Sequence, residues 1–226
     1  MGILIAIEGT DSSGKQTQSE LLYKNLTQKG IKCRLISFPA YESDSSALVK
    51  MYLAGDFGKE PSDVNAYAAS VFYAADRFAT FRTDWKKDYD NGTVIIADRY
   101  VPSNLIHQAS KLESEAEKDE FTKWLSELEY SHFSLPEPDR VIFLDMPTET
   151  AAVLMAKRAN KIDNSDSKDI HESNIEYLKK SYNNAKGIAQ KLSWNIVPCT
   201  ENGEVRTVED ISGDILEIAK TVITER

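Results

Sequence analysis

The chain has 226 residues and a formal net charge of −9 at pH 7, and a chain of this length forms one substantial core or at most two small domains. It contains no long basic run, which argues against duplex nucleic acid as a partner, although a local cluster of Lys and Arg can still bind a small polyanionic substrate. We find no charged leader and no run of ~18 apolar residues, so we expect neither secretion nor a membrane span. Cys33 and Cys199 lie far apart without metal-ligand spacing, which is typical of reduced thiols in a cytoplasmic protein.

Five short apolar runs predict the strands of a sheet. They span residues 3–8, 33–38, 93–98, 140–145 and 195–199. Each run is almost continuously apolar, as expected for strands that are buried on both faces, and the segments between them are long enough for crossover helices. The sequence therefore predicts an α/β fold, with a five-stranded parallel sheet and helices on both faces. Because neither a repeat nor a linker interrupts the pattern, residues 1–226 are predicted to form a single domain, with a mobile lid at about 158–170 around the polar stretch NSDSKD.

The segment after the first strand, GTDSSGKQTQ (9–18), matches a phosphate-binding P-loop in all but one fixed position. Gly9, Gly14 and Lys15 fit the pattern G-x-x-x-x-G-K-[S/T], and residues 16–30 predict an amphipathic helix. A buried strand, a glycine turn and a helix N-terminus in this order favour a phosphate loop over a plain Gly-Ser turn. Lys15 is then expected to reach the β- and γ-phosphates of ATP. The predicted ATP-binding residues are Gly9, Thr10, Asp11, Ser12, Ser13, Gly14, Lys15, Gln16 and Thr17.

Gln16 stands where the P-loop pattern has a hydroxyl that binds magnesium. The hydroxyl of Thr17 follows one position later and would point elsewhere on the helix, whereas the amide of Gln16 can offer an oxygen, directly or through a water. Magnesium usually keeps several waters and relies on substrate phosphates, so it needs few protein ligands. We therefore expect Mg²⁺ to act with ATP as co-substrate, near Gln16 and near Asp98 at the end of the third predicted strand.

NKID (160–163) matches the guanine-reading motif of regulatory GTPases. In those proteins the motif follows a strand, whereas AAVLMAKRA, which precedes it here, predicts a helix. The D-x-x-G switch is also missing after the third predicted strand, where DRYV stands. A regulatory GTPase is therefore disfavoured.

Three further motifs indicate what receives the phosphate. FPAYES (38–43) ends the second strand and DRYVPSNLIHQASKL (98–112) begins at the end of the third, at the sheet edge where such folds bind ligands, and FYAADRFATF (72–81) predicts a helix. Together with the P-loop, these motifs closely resemble the thymidylate kinase family, and the resemblance extends from residue 3 to about 200. It implies a P-loop nucleoside monophosphate kinase, a homodimer, that transfers phosphate from ATP to dTMP. The alternatives are a kinase of another nucleotide or nucleoside, and a nucleotide-binding regulatory protein without transferase activity.

The resemblance assigns the base and the sugar of dTMP to five positions. Asp11 corresponds to an aspartate that contacts the region of the 3′-hydroxyl, and Phe38 and Pro39 to a pair that walls the base. Tyr73 corresponds to an aromatic that stacks on thymine, and Arg77 to an arginine that hydrogen-bonds the base edge. Taken alone, Tyr73 could be a core aromatic and Arg77 a solvated helix residue. Their occurrence together and in order is what favours binding.

The third motif supplies the remaining acceptor residues. The resemblance places Arg99 on the acceptor phosphate, Asp98 near magnesium, and Ser103 and Gln108 in the acceptor site, with Gln108 reading the pyrimidine; a structural ion pair of Asp98 with Arg99 is the alternative. His107 stands where the family often has an aromatic residue that helps to exclude a 2′-hydroxyl, so strictness for deoxyribose stays open; a histidine that only fills space is the alternative. The predicted dTMP-binding residues are Phe38, Pro39, Tyr73, Arg77, Arg99, Ser103, His107 and Gln108.

Thymidylate kinases carry a catalytic arginine either in the P-loop or in the lid. Residues 12–13 are both serine here, so the lid would supply the charge from Arg158, Lys161 or Lys168, while Ile170 stands where the family usually has arginine. Arg158 is preferred because a lysine lacks the bidentate geometry of a guanidinium, and a solvated helix end is the alternative. The predicted catalytic residues are Lys15, Asp11, Arg99 and Arg158, and the predicted metal-binding residues are Gln16 and Asp98.

Overall fold

A computed structural model of the protein describes residues 1–159 and 174–225. Its main sheet has five parallel strands in the order β2-β3-β1-β4-β5. The strands are β1 (Ile3–Glu8), β2 (Cys33–Ser37), β3 (Val94–Asp98), β4 (Arg140–Asp145) and β5 (Asn195–Pro198). Each lies within one residue of its predicted bounds, so the predicted α/β fold of a P-loop NTPase is confirmed.

Helices connect the strands and cover the sheet on both sides. They are α1 (Lys15–Gln28), α2 (Ala47–Leu53), α3 (Ala66–Thr80), α4 (Lys86–Asp90), α5 (Pro102–His107), α6 (Glu115–Ser126), α7 (Thr148–Ala159), α8 (Ile175–Lys191) and α9 (Val208–Thr224). A π-helical segment, Phe81–Trp85, continues α3, and a second one, Glu127–His132, continues α6. Segments of this kind are rare and occur often at functional sites. A short antiparallel pair, β6 (Thr200–Glu201) and β7 (Glu204–Val205), lies outside the main sheet.

The central strand β1 divides the core into two layers because its side chains alternate between the faces of the sheet. Leu4 and Ala6 pack into one apolar cluster, with Phe121 of α6. Ile5 belongs to the cluster on the other face, with Leu22 of α1. All six residues of β1 are buried, and burying one such aliphatic side chain contributes about 1.5–3 kcal/mol. The strand that leads into the P-loop is therefore fixed on both sides.

The register of the strands brings the functional segments to one edge. Asp98 at the end of β3 is opposite Ile7 of β1 and Ser37 of β2, so the chain leaves all three strands at the same level. The P-loop follows β1, the Phe38–Pro39 pair follows β2, and Arg99 follows β3. This edge corresponds to the position where open parallel sheets bind ligands. Among the described residues, no helix combines the length and the apolar character that a membrane span requires.

Candidate active site

The loop between β1 and α1 turns on two glycines. A Cβ atom on Gly9 would lie 2.5 Å from Oγ of Ser13, and Gly14, directly before α1, has a φ of 88°. Ser12 also adopts a left-handed conformation, with a φ of 58°, which is uncommon for a residue with a side chain and clusters at functional sites. The turn brings the loop onto the N-terminus of α1, where peptide N–H groups and the helix dipole favour a phosphate.

Lys15 is a buried cation inside this loop. Its side chain is 6% exposed, and its Nζ donates a hydrogen bond to the carbonyl oxygen of Thr10 at 2.7 Å. Burial, and then the neighbouring Arg99, lowers the pKa of Lys15 to about 8, although the carboxylates of Asp11 and Asp98 oppose the shift. Lys15 therefore remains mostly protonated at neutral pH, and its charge is poorly screened by water.

The two predicted metal-binding residues, Gln16 and Asp98, are both more exposed than Lys15. Gln16 is exposed on the first turn of α1, and its Nε2 donates to Oε1 of Glu20 at 3.0 Å, so this contact uses the amide nitrogen and not the amide oxygen. Asp98 is half-buried at the end of β3. Burial raises the pKa of Asp98, and Lys15 and Arg99 oppose that shift.

All eight residues predicted to bind the acceptor line a single cleft beside the P-loop. The cleft is lined by Asp11, Phe38, Pro39, Tyr41, Leu53, Tyr73, Arg77, Arg99, Ser103, Asn104, His107 and Gln108. The structure thus brings together the loops after β1, β2 and β3 and the helices α3 and α5. Sequence reasoning missed Tyr41, Leu53 and Asn104. Asn104 could have been found, because it precedes His107 and Gln108 by three and four positions in α5 and such neighbours share a helix face.

Arg99 links the acceptor cleft to the P-loop. Its Nη2 donates to Oδ1 of Asp11 at 2.5 Å, so its ion pair is with Asp11 and not with Asp98. Its Nη1 is 3.0 Å from Nε2 of His107, and because a guanidinium only donates, that nitrogen accepts and His107 carries its proton on Nδ1. Burial alone lowers the pKa of Arg99, but the surrounding carboxylates, Asp11 first, outweigh it and raise the pKa. The backbone of Arg99 is left-handed, with a φ of 67°.

Arg77 is buried, so the alternative that it is a solvated helix residue is wrong. It is 1% exposed, and its partner Glu129 is 0% exposed. The Nε and Nη2 atoms of Arg77 donate to the two carboxylate oxygens of Glu129 at 2.7 and 2.6 Å. Burial lowers the pKa of Arg77, but the Glu129 carboxylate outweighs it and raises the pKa. Burial raises the pKa of Glu129, and Arg77 opposes that shift. Two short guanidinium donors on one carboxylate are the geometry of an ion pair. Glu129 lies on the π-helical segment after α6, and nothing in the local sequence marks it as the partner of Arg77.

Aromatic rings form the walls of the cleft. Phe38 is buried and its ring lies 5.9 Å from that of Tyr100, tilted by 50°. Tyr73 is half-buried and packs edge-on against Tyr52, with ring centroids 6.4 Å apart. Tyr73 therefore combines packing with exposure to the cleft, so the core and binding interpretations of this residue are compatible. Gln108 also lines the cleft and is buried, and its Oε1 has no hydrogen-bond partner among the described residues.

Glu8, the last residue of β1, was not among the predicted site residues. It is 0% exposed. Its Oε1 accepts a hydrogen bond from the backbone N–H of Tyr100 at 2.8 Å, and its Oε2 accepts one from the hydroxyl of Ser103 at 2.6 Å. Burial raises the pKa of Glu8 to about 7, against the opposing effect of Ser103 and of Arg99. Ser103 lines the cleft, but its hydroxyl hydrogen is directed to Glu8.

The predicted lid is described only at its beginning. The helix predicted for AAVLMAKRA is confirmed as part of α7, which contains the backbone of Arg158. The side chain of Arg158, together with Lys161, Lys168, Ile170 and the NKID motif, lies outside the described part of the chain.

Comparisons with known proteins point to one family. The family model for thymidylate kinase matches residues 7–211. The thymidylate kinase of Mycobacterium tuberculosis is 31% identical over 182 residues, which cover 79% of this chain and 82% of that protein. A probable thymidylate kinase of Thermococcus gammatolerans is 28% identical over 99% of this chain and 98% of its own length. The human thymidylate kinase is 28% identical over 67% of this chain and 64% of its own length.

Proposed function

The chain belongs to the thymidylate kinase family, and on that premise we propose that it transfers the γ-phosphate of ATP to dTMP, giving dTDP and ADP. One observation carries the proposal beyond the family assignment. Asp11 belongs to the P-loop, yet it is ion-paired with Arg99 of the acceptor cleft. The donor loop and the acceptor cleft therefore share a wall, as in-line transfer between two bound nucleotides requires.

The P-loop residues 9–17 would hold ATP. The N-terminus of α1 and the buried charge of Lys15 neutralise the β- and γ-phosphates, and no covalent intermediate is needed because catalysis of phosphoryl transfer rests on positioning and electrostatic stabilisation. On binding, phosphate oxygens would replace the carbonyl oxygen of Thr10 as the partner of Lys15 Nζ.

The cleft would hold dTMP with its base between the aromatic walls. Stacking on Tyr73 suits a flat base. The base N3–H would donate to the Oε1 of Gln108, a buried acceptor that has no other partner among the described residues. Arg77 uses Nε and Nη2 for Glu129, so Nη1 would serve the base carbonyl. The guanidinium of Arg99 would bind the acceptor phosphate in exchange for its contacts with Asp11 and His107.

Asp98 and Gln16 fit a hydrated magnesium ion. Asp98 is a half-buried carboxylate next to Lys15, and the amide oxygen of exposed Gln16 is not used in the contact with Glu20. Both offer the oxygen ligands that magnesium prefers. Bound magnesium would neutralise charge on the transferring phosphates. Arg158 is our candidate for the additional lid charge.

Residues 1–226 would form one domain with a lid at about 158–170, active in the cytoplasm as a homodimer. Val71 and Phe78 on α3 and Met51 on α2 are exposed apolar side chains, which the interface of a dimer would cover.

A coupled assay of ADP release across a panel of acceptors tests the function. With ATP and Mg²⁺ we expect dTMP to be the best acceptor, and thymidine to be poor because Arg99 would have no phosphate to bind. Equal or better turnover with CMP, AMP or GMP would assign the cleft to another nucleotide. Binding of ATP and dTMP without any transfer would favour a regulatory protein.

A further inference from the structure

We propose that Glu8 is a positioning residue that fixes the phosphate-binding arginine, Arg99, against the P-loop. The inference rests on the proposed function, because it assigns Arg99 to the acceptor phosphate. Glu8 ends β1 and is followed at once by Gly9 of the P-loop. Among the described residues, its carboxylate nevertheless bonds to the segment after β3 alone, through the N–H of Tyr100 and the hydroxyl of Ser103.

The two hydrogen bonds lie on the chain directly after Arg99. Tyr100 is the next residue, and Ser103 is on the first turn of α5. The N–H of Arg99 itself donates to the carbonyl oxygen of Ile7 at 3.1 Å. Two adjacent residues of β1 therefore anchor this segment. Ile7 holds the N–H of Arg99 with its backbone carbonyl, and Glu8 holds the N–H of Tyr100 with its side chain.

Arg99 needs such an anchor because of its backbone. A φ of 67° is unfavourable for a residue with a Cβ atom and persists only when the surrounding structure imposes it. The bond from the N–H of Tyr100 to Glu8 holds the peptide plane that follows Arg99, and the bond from the N–H of Arg99 to the carbonyl oxygen of Ile7 holds the plane that precedes it. If the bond to Glu8 is lost, the backbone of Arg99 is held from one side only, so its guanidinium is less firmly placed once a phosphate replaces its contacts with Asp11 and His107.

A carboxylate suits this position better than an amide. Both partners of Glu8 are donors, and a carboxylate accepts with both oxygens, whereas glutamine would present one oxygen and one NH₂ group. The charged groups around the carboxylate are Arg99, which faces it from the segment after β3, and Lys15 of α1, and the Tyr130 hydroxyl is the titratable group that faces it from the segment after α6. Burial raises the pKa of the Glu8 carboxyl to about 7, and Arg99 and Lys15 oppose that shift because they favour the ionised form, whose charge in turn attracts Arg99 toward the end of β1.

Calorimetric titration of Glu8→Gln with dTMP and with thymidine tests the proposal. The ratio of the thymidine Kd to the dTMP Kd isolates the contribution of the phosphate, because the two ligands share base and sugar. We expect the substitution to lower this ratio at least about tenfold, while the Kd for thymidine changes less than about threefold. An effect on folding alone would weaken both ligands equally and leave the ratio unchanged.

Asp139→Asn is the matched control. Asp139 accepts a hydrogen bond from the N–H of Leu4 at 2.8 Å, at the opposite end of β1. The substitution Asp139→Asn should lower the melting temperature without changing the ratio of the thymidine Kd to the dTMP Kd. An unchanged ratio in Glu8→Gln would overturn the proposal, as would an equal change in the control.

If Glu8→Gln does not fold, Glu8→Asp is the alternative variant. Aspartate keeps the charge but is too short for both donors, and a wild-type ratio in that variant would overturn the proposal as well. Wild-type protein that binds neither ligand would instead contradict the proposed function.

Discussion

Removing the carboxylate of Glu129 should strongly destabilise the protein, because it leaves the Arg77 guanidinium buried without a counter-charge. Arg77 is 1% exposed and Glu129 0% exposed, and the pair is bidentate, at 2.7 and 2.6 Å. Breaking a buried pair from one side costs about 3–5 kcal/mol. For a chain of this size 1 kcal/mol corresponds to about 2–4 °C, so we expect Glu129→Leu to lower the melting temperature by about 6–20 °C.

The double variant Arg77→Met/Glu129→Leu separates stability from function. Replacing both members of a buried ion pair by apolar residues is often neutral or stabilising, so the double variant should regain most of the lost stability. It should not regain dTMP binding if Arg77 contacts the base.

Urea denaturation gives the free energy of unfolding of both variants, and titration with dTMP gives their affinity. A loss below about 1 kcal/mol in Glu129→Leu would refute the reasoning, because Arg77 would then have another source of compensation. Wild-type dTMP affinity in a stable double variant would remove Arg77 from the acceptor site.

Three further outcomes follow from the site. Arg99→Ala should cost about 3 kcal/mol in kcat/KM for dTMP, on the order of 100-fold, and Arg99→Lys should recover only part of it; full activity of the lysine variant in the ADP-release assay would show that bidentate geometry is not needed. Gln16→Thr should lower, and Gln16→Leu raise, the magnesium concentration for half-maximal rate, and identical magnesium titrations would remove Gln16 from the metal site. The pKa of Glu8 is about 7 in the folded protein against an ordinary value of 4.5, so the folded state binds more protons between these values; stability that is present below pH 4.5 is lost as the pH rises through 7, by about 3 kcal/mol. Urea denaturation from pH 4 to 8 should show a loss that is larger in the wild type than in Glu8→Gln by about this amount, because carboxyls such as Asp98 titrate in both proteins, and parallel profiles of the two proteins would contradict it.

The sequence predicted those parts of the site that depend on short stretches of chain. A buried parallel strand needs a continuous apolar run, so the five strands were found within one residue. The P-loop depends on its own glycines and on the strand and helix beside it, and all of these lie within residues 3–28. The eight residues predicted to bind the acceptor came from the family resemblance, because no local pattern connects such distant positions, and the structure shows that they line one cleft. Asn104 was missed although it is on the same helix as its neighbours in the cleft.

The two buried carboxylates were missed for a different reason. Glu129 is 52 positions from Arg77, and Glu8 is 95 positions from Ser103. Which residue meets which across such a separation depends on how α6 and α5 pack on the sheet, and in the case of Glu129 also on a π-helical segment that shifts the phase of the helix. Secondary-structure propensity and hydrophobic periodicity describe neither the packing of the helices on the sheet nor the phase shift of a π-helical segment.

Physical chemistry nevertheless limits what such a site must contain. A guanidinium that reads a base from inside an apolar cleft has to be taken out of water, and a buried cation is tolerated only beside a compensating anion. Arg77 in the acceptor site therefore requires a carboxylate behind it, and Arg99, before any phosphate arrives, requires one as well. The structure supplies Glu129 for the first and Asp11 for the second. The carboxylates of Glu129 and Asp11 differ in exposure, and this difference fits their proposed roles. Glu129 is closed off from solvent and would remain with Arg77 throughout the reaction, whereas Asp11 is partly exposed and would release Arg99 to the acceptor phosphate, the stronger anion.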